Sequence, residues 1–163
     1  MSAGPADFED LLRQHLGIVR RTAALYTRTA AEREDLAQEI AAQWWRSFPR
    51  FDGRCKFSTW AYRIALNVAI SHRRRERARP APAATDAPEI AAPAERPIED
   101  RLVLRKFIAG LGDFDRALVF LYLDGNSHEE IGQVLGIIAG NAATRMGRLK
   151  ERFRRQGEDD GAR

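Results

Sequence analysis

A single cysteine, Cys55, stands in a chain of 163 residues. It has no partner within the chain for a disulfide, which fits a reducing compartment. No apolar run approaches the roughly 20 residues that a membrane helix needs. The first acidic residues, Asp7, Glu9 and Asp10, fall where a secretory signal would be basic and then apolar. Both absences point to a cytoplasmic protein with no direct membrane insertion. Catalytic groupings are equally sparse. His15, His72 and His128 lie on separate segments without metal-ligand spacing, no glycine-rich phosphate loop is present, and Cys55 has no base beside it in sequence. Cys55 reads as a loop or packing residue, and the chain reads as a non-enzyme with no cofactor, no metal and no small-molecule substrate. Net charge is modest as well. The 27 Lys and Arg against 23 Asp and Glu leave +4, which says little about a nucleic-acid partner until its distribution is known.

Proline is scarce except in one stretch. Five of the seven prolines, with eight alanines, fill residues 78–97, ARPAPAATDAPEIAAPAERP. Proline fixes φ and removes donors, and nothing there has the periodicity to bury a face, so the stretch reads as a linker. Extended at about 3.1 Å per residue it would span roughly 60 Å. The two flanking blocks are each under 80 residues and therefore have thin cores. Residues 1–77 carry +5, the linker −1, and residues 98–163 zero. That zero conceals a basic strip at 145–155, where Arg145, Arg148, Lys150, Arg152, Arg154 and Arg155 face Glu151 alone; a second strip lies at 73–79.

In the first block, Phe8, Leu12, His15, Val19, Ala23 and Tyr26 recur at helical spacing, predicting a helix capped by Asp7 and ending near Thr27. Leu36, Ile40, Trp44 and Phe48 predict a second, from about Glu32 to Phe48, closed by Pro49. Its opposite side carries Asp35, Gln38, Glu39, Gln43 and Arg46, either a solvated face or a binding one. A turn-rich loop around Asp52-Gly53 leads to a third helix, capped by Ser58 or less well by Thr59. Trp60, Ile64 and Val68 are expected to form its core stripe, with Tyr62, Arg63, Asn67, Ser71, Arg74 and Arg75 on other faces. Aromatics interleaved with arginines beside a flexible loop suit single-stranded DNA, because bases stack on rings and guanidinium groups neutralise phosphate. The same pattern also fits Phe57 and Trp60 as plain core with a solvated Arg run.

In the second block, Leu102, Leu104, Ile108 and Leu111 predict an amphipathic helix over 98–111. Another begins near Asp113 and stops at Asp124-Gly125-Asn126. Ser127-His128-Glu129-Glu130 is a capping box, and Gly136 allows a tight turn after Leu135. The last helix, from near Asn141, sends Ala142, Met146, Leu149 and Phe153 inward and leaves Thr144, Arg145, Arg148, Lys150 and Arg152 outside. Short helix, glycine turn and basic helix fit a helix-turn-helix, or an ordinary helical hairpin whose basic end complements the dipole.

Taken in order, EDLAQEI, Trp44-Trp45, FDGRCKFSTWAYRIALNVA, the Arg run, the Pro/Ala linker and NSHEEIGQVLG with RMGRLKERF resemble the extracytoplasmic-function (ECF) sigma factors, minimal initiation factors of bacterial RNA polymerase. The resemblance covers about 8–77 and 98–155. It implies an all-α fold of two small helical domains: region 2 over 6–77 and a region 4 helix-turn-helix over 98–155. The linker lies between them, and residues 156–163 follow as a disordered acidic tail. It further implies that Asp35, Gln38 and Glu39 meet core RNA polymerase. The loop Phe51–Lys56, with Arg54, would receive a flipped base of the minus-ten element. Phe57, Trp60, Tyr62, Arg63 and Asn67 would melt and read that element, Ser71 would join the minus-ten contacts, and Arg73, Arg74 and Arg75 would hold upstream phosphates. Asn141, Thr144, Arg145, Arg148 and Arg152 would contact the minus-thirty-five element. The expected partners are core RNA polymerase, promoter DNA and an anti-sigma factor. Gly132 stands where the family usually has Ala, Ala142 where a larger Val is common, and Asn141 where Thr or Ser is usual.

Two other readings compete. A sigma-like decoy that only binds an anti-sigma factor would have little use for both basic strips. A plain helix-turn-helix regulator leaves the aromatic loop and helix of 51–71 idle.

Overall fold

Apolar positions three and four residues apart produce helices throughout the computed structural model, which describes residues 5–79 and 97–161. Their order is α1 (Pro5–Tyr26), α2 (Ala30–Ser47), a 3-10 turn (Phe48–Arg50), α3 (Phe57–Arg77), α4 (Ile98–Ala109), α5 (Asp113–Leu123), α6 (His128–Leu135) and α7 (Ala139–Gly161). The fold is all-α, with no strand among the described residues. Tertiary contacts separate α1–α3 from α4–α7 as two units. The Pro/Ala stretch expected as a linker lies, from 80 to 96, outside the described residues. No helix among the described residues is long and apolar enough to cross a membrane.

In the first unit each helix packs on the other two. Thr29 starts α2 through a capping box: its hydroxyl accepts from the Glu32 amide at 3.2 Å, and the Glu32 carboxylate accepts from the Thr29 amide at 3.3 Å. The helix therefore begins two residues before Glu32. Leu36, Ile40 and Trp44 are fully buried along its inner face. Pro49 lies inside the 3-10 turn rather than closing α2. The Trp44 Nε1–H donates to the Ala61 carbonyl at 3.1 Å, pinning α2 to α3. An indole removes on the order of 200 Å² from water, about 5 kcal/mol at 25 cal/mol/Å².

Three further expectations for this unit change. α1 begins at Pro5, and Asp7 sits exposed in its first turn rather than as the cap. Lys56, not Ser58, precedes the first helical residue of α3, and no side chain caps it. The buried side of α3 is Phe57, Thr59, Ala61, Tyr62, Ala65, Leu66 and Ala69, while Trp60, Ile64 and Val68 are only half-buried. Small residues win the centre because α3 packs on α1 and α2 at once, and close approach of helices favours alanine over bulk.

In the second unit, Ile108, Leu118, Leu121, Ile131 and Ala142 form a fully buried centre. α4 ends at Ala109, two residues before Leu111, and Leu102 is 50% exposed instead of buried. Arg116 is the unexpected core residue, 2% exposed. Its Nη2 donates to the Ala109 and Leu111 carbonyls at 2.9 and 3.3 Å, answering the free acceptors at the end of α4 with a positive charge that the helix dipole favours. The Ser127–Glu130 capping box forms as predicted, at 3.1 and 2.8 Å. Gly136 takes φ 72°, a left-handed conformation that side chains disfavour, and turns the chain between α6 and α7.

The acidic tail differs from its expected disorder, for α7 continues through Gly161. Arg154 bonds Glu151 at 2.8 Å and Glu158 at 3.0 Å, and Arg155 bonds Glu151 at 3.1 Å, all at one-turn spacing. Arg154 first and then Arg155 hold the Glu151 carboxyl below its ordinary range.

Candidate nucleic-acid interface

The loop between the 3-10 turn and α3 is shaped by Asp52. Its carboxylate accepts from the Arg54 amide at 3.0 Å and lies 3.3 Å from the Arg54 guanidinium, while Gly53 takes φ 73°. Arg54 is thereby displayed on a local turn, largely exposed. Cys55 beside it is half-buried and unpaired. Behind the loop, Phe48, Phe51, Phe57 and Trp60 interlock, with centroid separations of 5.2 Å for Phe57–Trp60 and 5.3 Å for Phe51–Trp60. Trp44 reaches Phe57 edge-on at 5.7 Å, and His15 of α1 lies 4.9 Å from it. Phe57 is the hub of this cluster and only 8% exposed, so of the expected ring contacts to DNA only Trp60 stays partly exposed.

Tyr62 is a correction of the same kind. It is 5% exposed, on the buried side of α3, and does not share a face with Arg63 and Asn67. A tyrosine inside a helix fits core or surface equally by pattern, and here the packing against neighbouring helices decides. The remaining α3 residues do come together. Trp60, Arg63, Asn67, Ser71 and Arg74 step by three and four along one side, the last four exposed. At 1.5 Å per residue the line is about 21 Å long.

Arg75 turns away from that line. Its Nη2 donates to the Glu39 carboxylate at 2.9 Å, and His72 Nδ1 lies 3.8 Å from the other Glu39 oxygen. Glu39 is consequently engaged with α3, while Asp35 and Gln38 stay exposed on α2. Cross-helix pairing of residues 36 apart left no sequence signal.

In the second unit α6, the Gly136 turn and α7 form a helix-turn-helix. Asn141, Thr144, Arg145, Arg148 and Arg152 are exposed on one side of α7, opposite buried Ala142, Met146 and Leu149. Arg152 lies over the Phe107 ring at 5.5 Å. Two further cations are braced by α5. Arg145 Nε donates to Asp115 at 2.5 Å with its Cζ 4.7 Å from the Phe114 ring centre, and Lys150 donates to the Tyr122 hydroxyl at 2.6 Å. Phe114, Asp115 and Tyr122 were not identifiable as site residues from sequence, because pairs 28 and 30 residues apart follow no helical period.

Residues 5–79 match the family model of Sigma-70 region 2. The ECF RNA polymerase sigma factor SigW of Bacillus subtilis is 33% identical over 144 residues, covering 78% of this chain and 76% of the relative. The chain belongs to the ECF sigma factors. RNA polymerase sigma factor CarQ of Myxococcus xanthus is also 33% identical, across 90% of this sigma factor and 87% of CarQ. Among solved structures, CnrH in complex with the cytosolic domain of CnrY superposes with a TM-score of 0.71 at 19% identity, over 98% of this chain and 92% of that one. The sigma factor RpoE of Bartonella quintana, with the anti-sigma factor NepR, also reaches 0.71, at 22% identity over 91% and 95%. Both share the fold. No group of three or more His, Cys, Asp or Glu among the sigma factor's described residues is arranged to hold a metal ion.

Proposed function

We propose that this sigma factor binds core RNA polymerase through α2, opens promoter DNA along α3, and reads the upstream element with α7. The observation carrying the reading is the line Trp60, Arg63, Asn67, Ser71 and Arg74, half-buried at Trp60 and exposed beyond it, which begins beside an aromatic-backed loop. A base flipped from the minus-ten element costs a few kcal/mol to unstack, offset by a pocket and by ring contact. The exposed Arg54 turn and the partly exposed Trp60 ring stand at the loop for that contact. Asn67 offers an amide to a base edge, and Arg63 and Arg74 neutralise phosphate. Phe57 and Tyr62 support this surface from within. Asp35 and Gln38 meet the polymerase, and Glu39 serves by fixing α2 against α3. Region 4 is α4–α7, with Asn141, Thr144, Arg148 and Arg152 joining Arg145 at the minus-thirty-five element.

The sigma factor makes and breaks no bond in this scheme; its work is differential binding of closed and open promoter. It acts where the chromosome and polymerase are, in the cytoplasm, and an anti-sigma factor is its expected regulator, as complexes of that type are known for RpoE of Bartonella quintana. The test separates melting from assembly. Arg63→Ala with Asn67→Ala should abolish permanganate reactivity of minus-ten thymines while leaving affinity for core polymerase within about twofold. Equal loss of both would refute the assignment of α3.

A further inference from the structure

On the exposed face of α7, Arg145 is held by a neighbouring helix where Arg148 is not. Arg148, one turn on, is exposed with no ion pair or hydrogen bond of its side chain among the described residues. Arg145 is held twice. Its Nε donates to Asp115 Oδ1 at 2.5 Å, and its guanidinium plane sits 4.7 Å from the Phe114 ring centre. Both partners belong to the first turn of α5, a separate helix whose neighbour Arg116 is anchored in the core. The brace is therefore rigid at its base, and Asp115 is only 22% exposed in its side chain against 51% for Arg145.

We infer that Asp115, supported by Phe114, is a positioning residue that makes Arg145 a guanine reader in the minus-thirty-five element; this rests on the assignment of α7 as the promoter-reading helix. An unrestrained arginine loses rotamer freedom when it is fixed. Holding the side chain in the free protein removes that loss from the binding step. The bond to Asp115 uses Nε and leaves the two outer Nη groups without a hydrogen bond among the described residues. Those two donors match the O6 and N7 acceptors of guanine, a bidentate pattern no other base offers in the major groove. The carboxylate also offsets the positive charge of Arg145, so this residue contributes less to phosphate attraction than Arg148 while keeping its directional donors. Asp115 thus converts a general cation into a base-selective one.

The test uses holoenzyme reconstituted from core polymerase and the full chain, competed against duplex promoters carrying each base at every minus-thirty-five position, at two salt concentrations. Arg145→Ala should relax guanine preference at one position. Asp115→Ala should relax the same position by about tenfold, within the range for one bidentate contact, while affinity for the other three bases stays level or rises. Asp115→Asn, which keeps an accepting oxygen, should restore part of the preference, and Arg148→Ala should weaken all sequences alike. If Arg145→Ala relaxes a position and Asp115→Ala does not, the positioning role is overturned and the reading of α7 stands. Should neither variant relax any position, the reading of α7 falls and the inference with it. A uniform loss with Asp115→Ala, matched by a lower unfolding midpoint, would make the pair a structural clip and refute the inference.

Discussion

Replacing Gly132 by alanine should destabilise the α4–α7 unit although it improves helix propensity. Alanine is worth about 1 kcal/mol over glycine inside a helix. Against this, a Cβ at position 132 would overlap the Ile137 carbonyl oxygen and meet the Ala139 amide nitrogen at 3.4 Å. Both are backbone atoms of the turn that Gly136 creates, so neither can swing aside as a side chain would. Overpacking of this kind costs typically 1–3 kcal/mol. Any shift also stretches the Gly136 and Ile137 amide bonds to the Gly132 carbonyl, now 2.8 and 3.0 Å, each worth about 1 kcal/mol. The net expectation is a loss of about 1–2 kcal/mol. Gly147→Ala is the matched control: that site has nothing within 4 Å and should gain about 0.5–1 kcal/mol. Urea unfolding of the full chain by far-UV circular dichroism measures both. Tryptophan fluorescence supplies an internal reference, because Trp44, Trp45 and Trp60 all lie in α2 and α3. Its transition should stay in place for either variant. If Gly132→Ala stabilises as much as Gly147→Ala does, the close turn is wrong.

Trp44→Phe should lower the fluorescence-detected stability of α1–α3 by about 1–3 kcal/mol, from lost volume and the missing donor to Ala61. Arg116→Met should cost the second unit about 1.5–3 kcal/mol, the worth of charge-assisted bonds to the α4 carbonyls, seen as faster amide exchange at 105–111. Arg74→Ala should reduce the salt slope of promoter binding by about one while sparing sequence preference; Arg75→Ala should do less, since Glu39 already pairs with it.

The elements most legible in sequence were those built from large apolar residues at strict spacing. Leu36, Ile40 and Trp44 mark the buried side of α2, with Phe48 carrying it into the 3-10 turn, and Ser127–Glu130 mark the start of α6. The same logic misplaces the core of α3, where Ala61, Ala65 and Ala69 carry little hydrophobic signal yet line the buried side with Phe57, Tyr62 and Leu66. The Thr29–Glu32 box is readable by spacing and places the start of α2 two residues before Glu32. Polar residues in mid-helix pointed correctly to the exposed line of Arg63, Asn67, Ser71 and Arg74. Tyr62 went astray because its ring suits either environment. Long-range pairs were beyond reach: nothing in a one-dimensional pattern brings Glu39 to Arg75, Asp115 to Arg145, or Arg116 to the carbonyls closing α4.

Run-off transcription by purified core polymerase on a promoter library, with and without the full chain, tests the central claim most directly. Specific transcripts should appear only with the chain, share a minus-ten and a minus-thirty-five motif, and vanish with the Arg63→Ala, Asn67→Ala double variant although that variant still co-elutes with core. A chain that neither joins core polymerase nor directs any specific start would contradict the account.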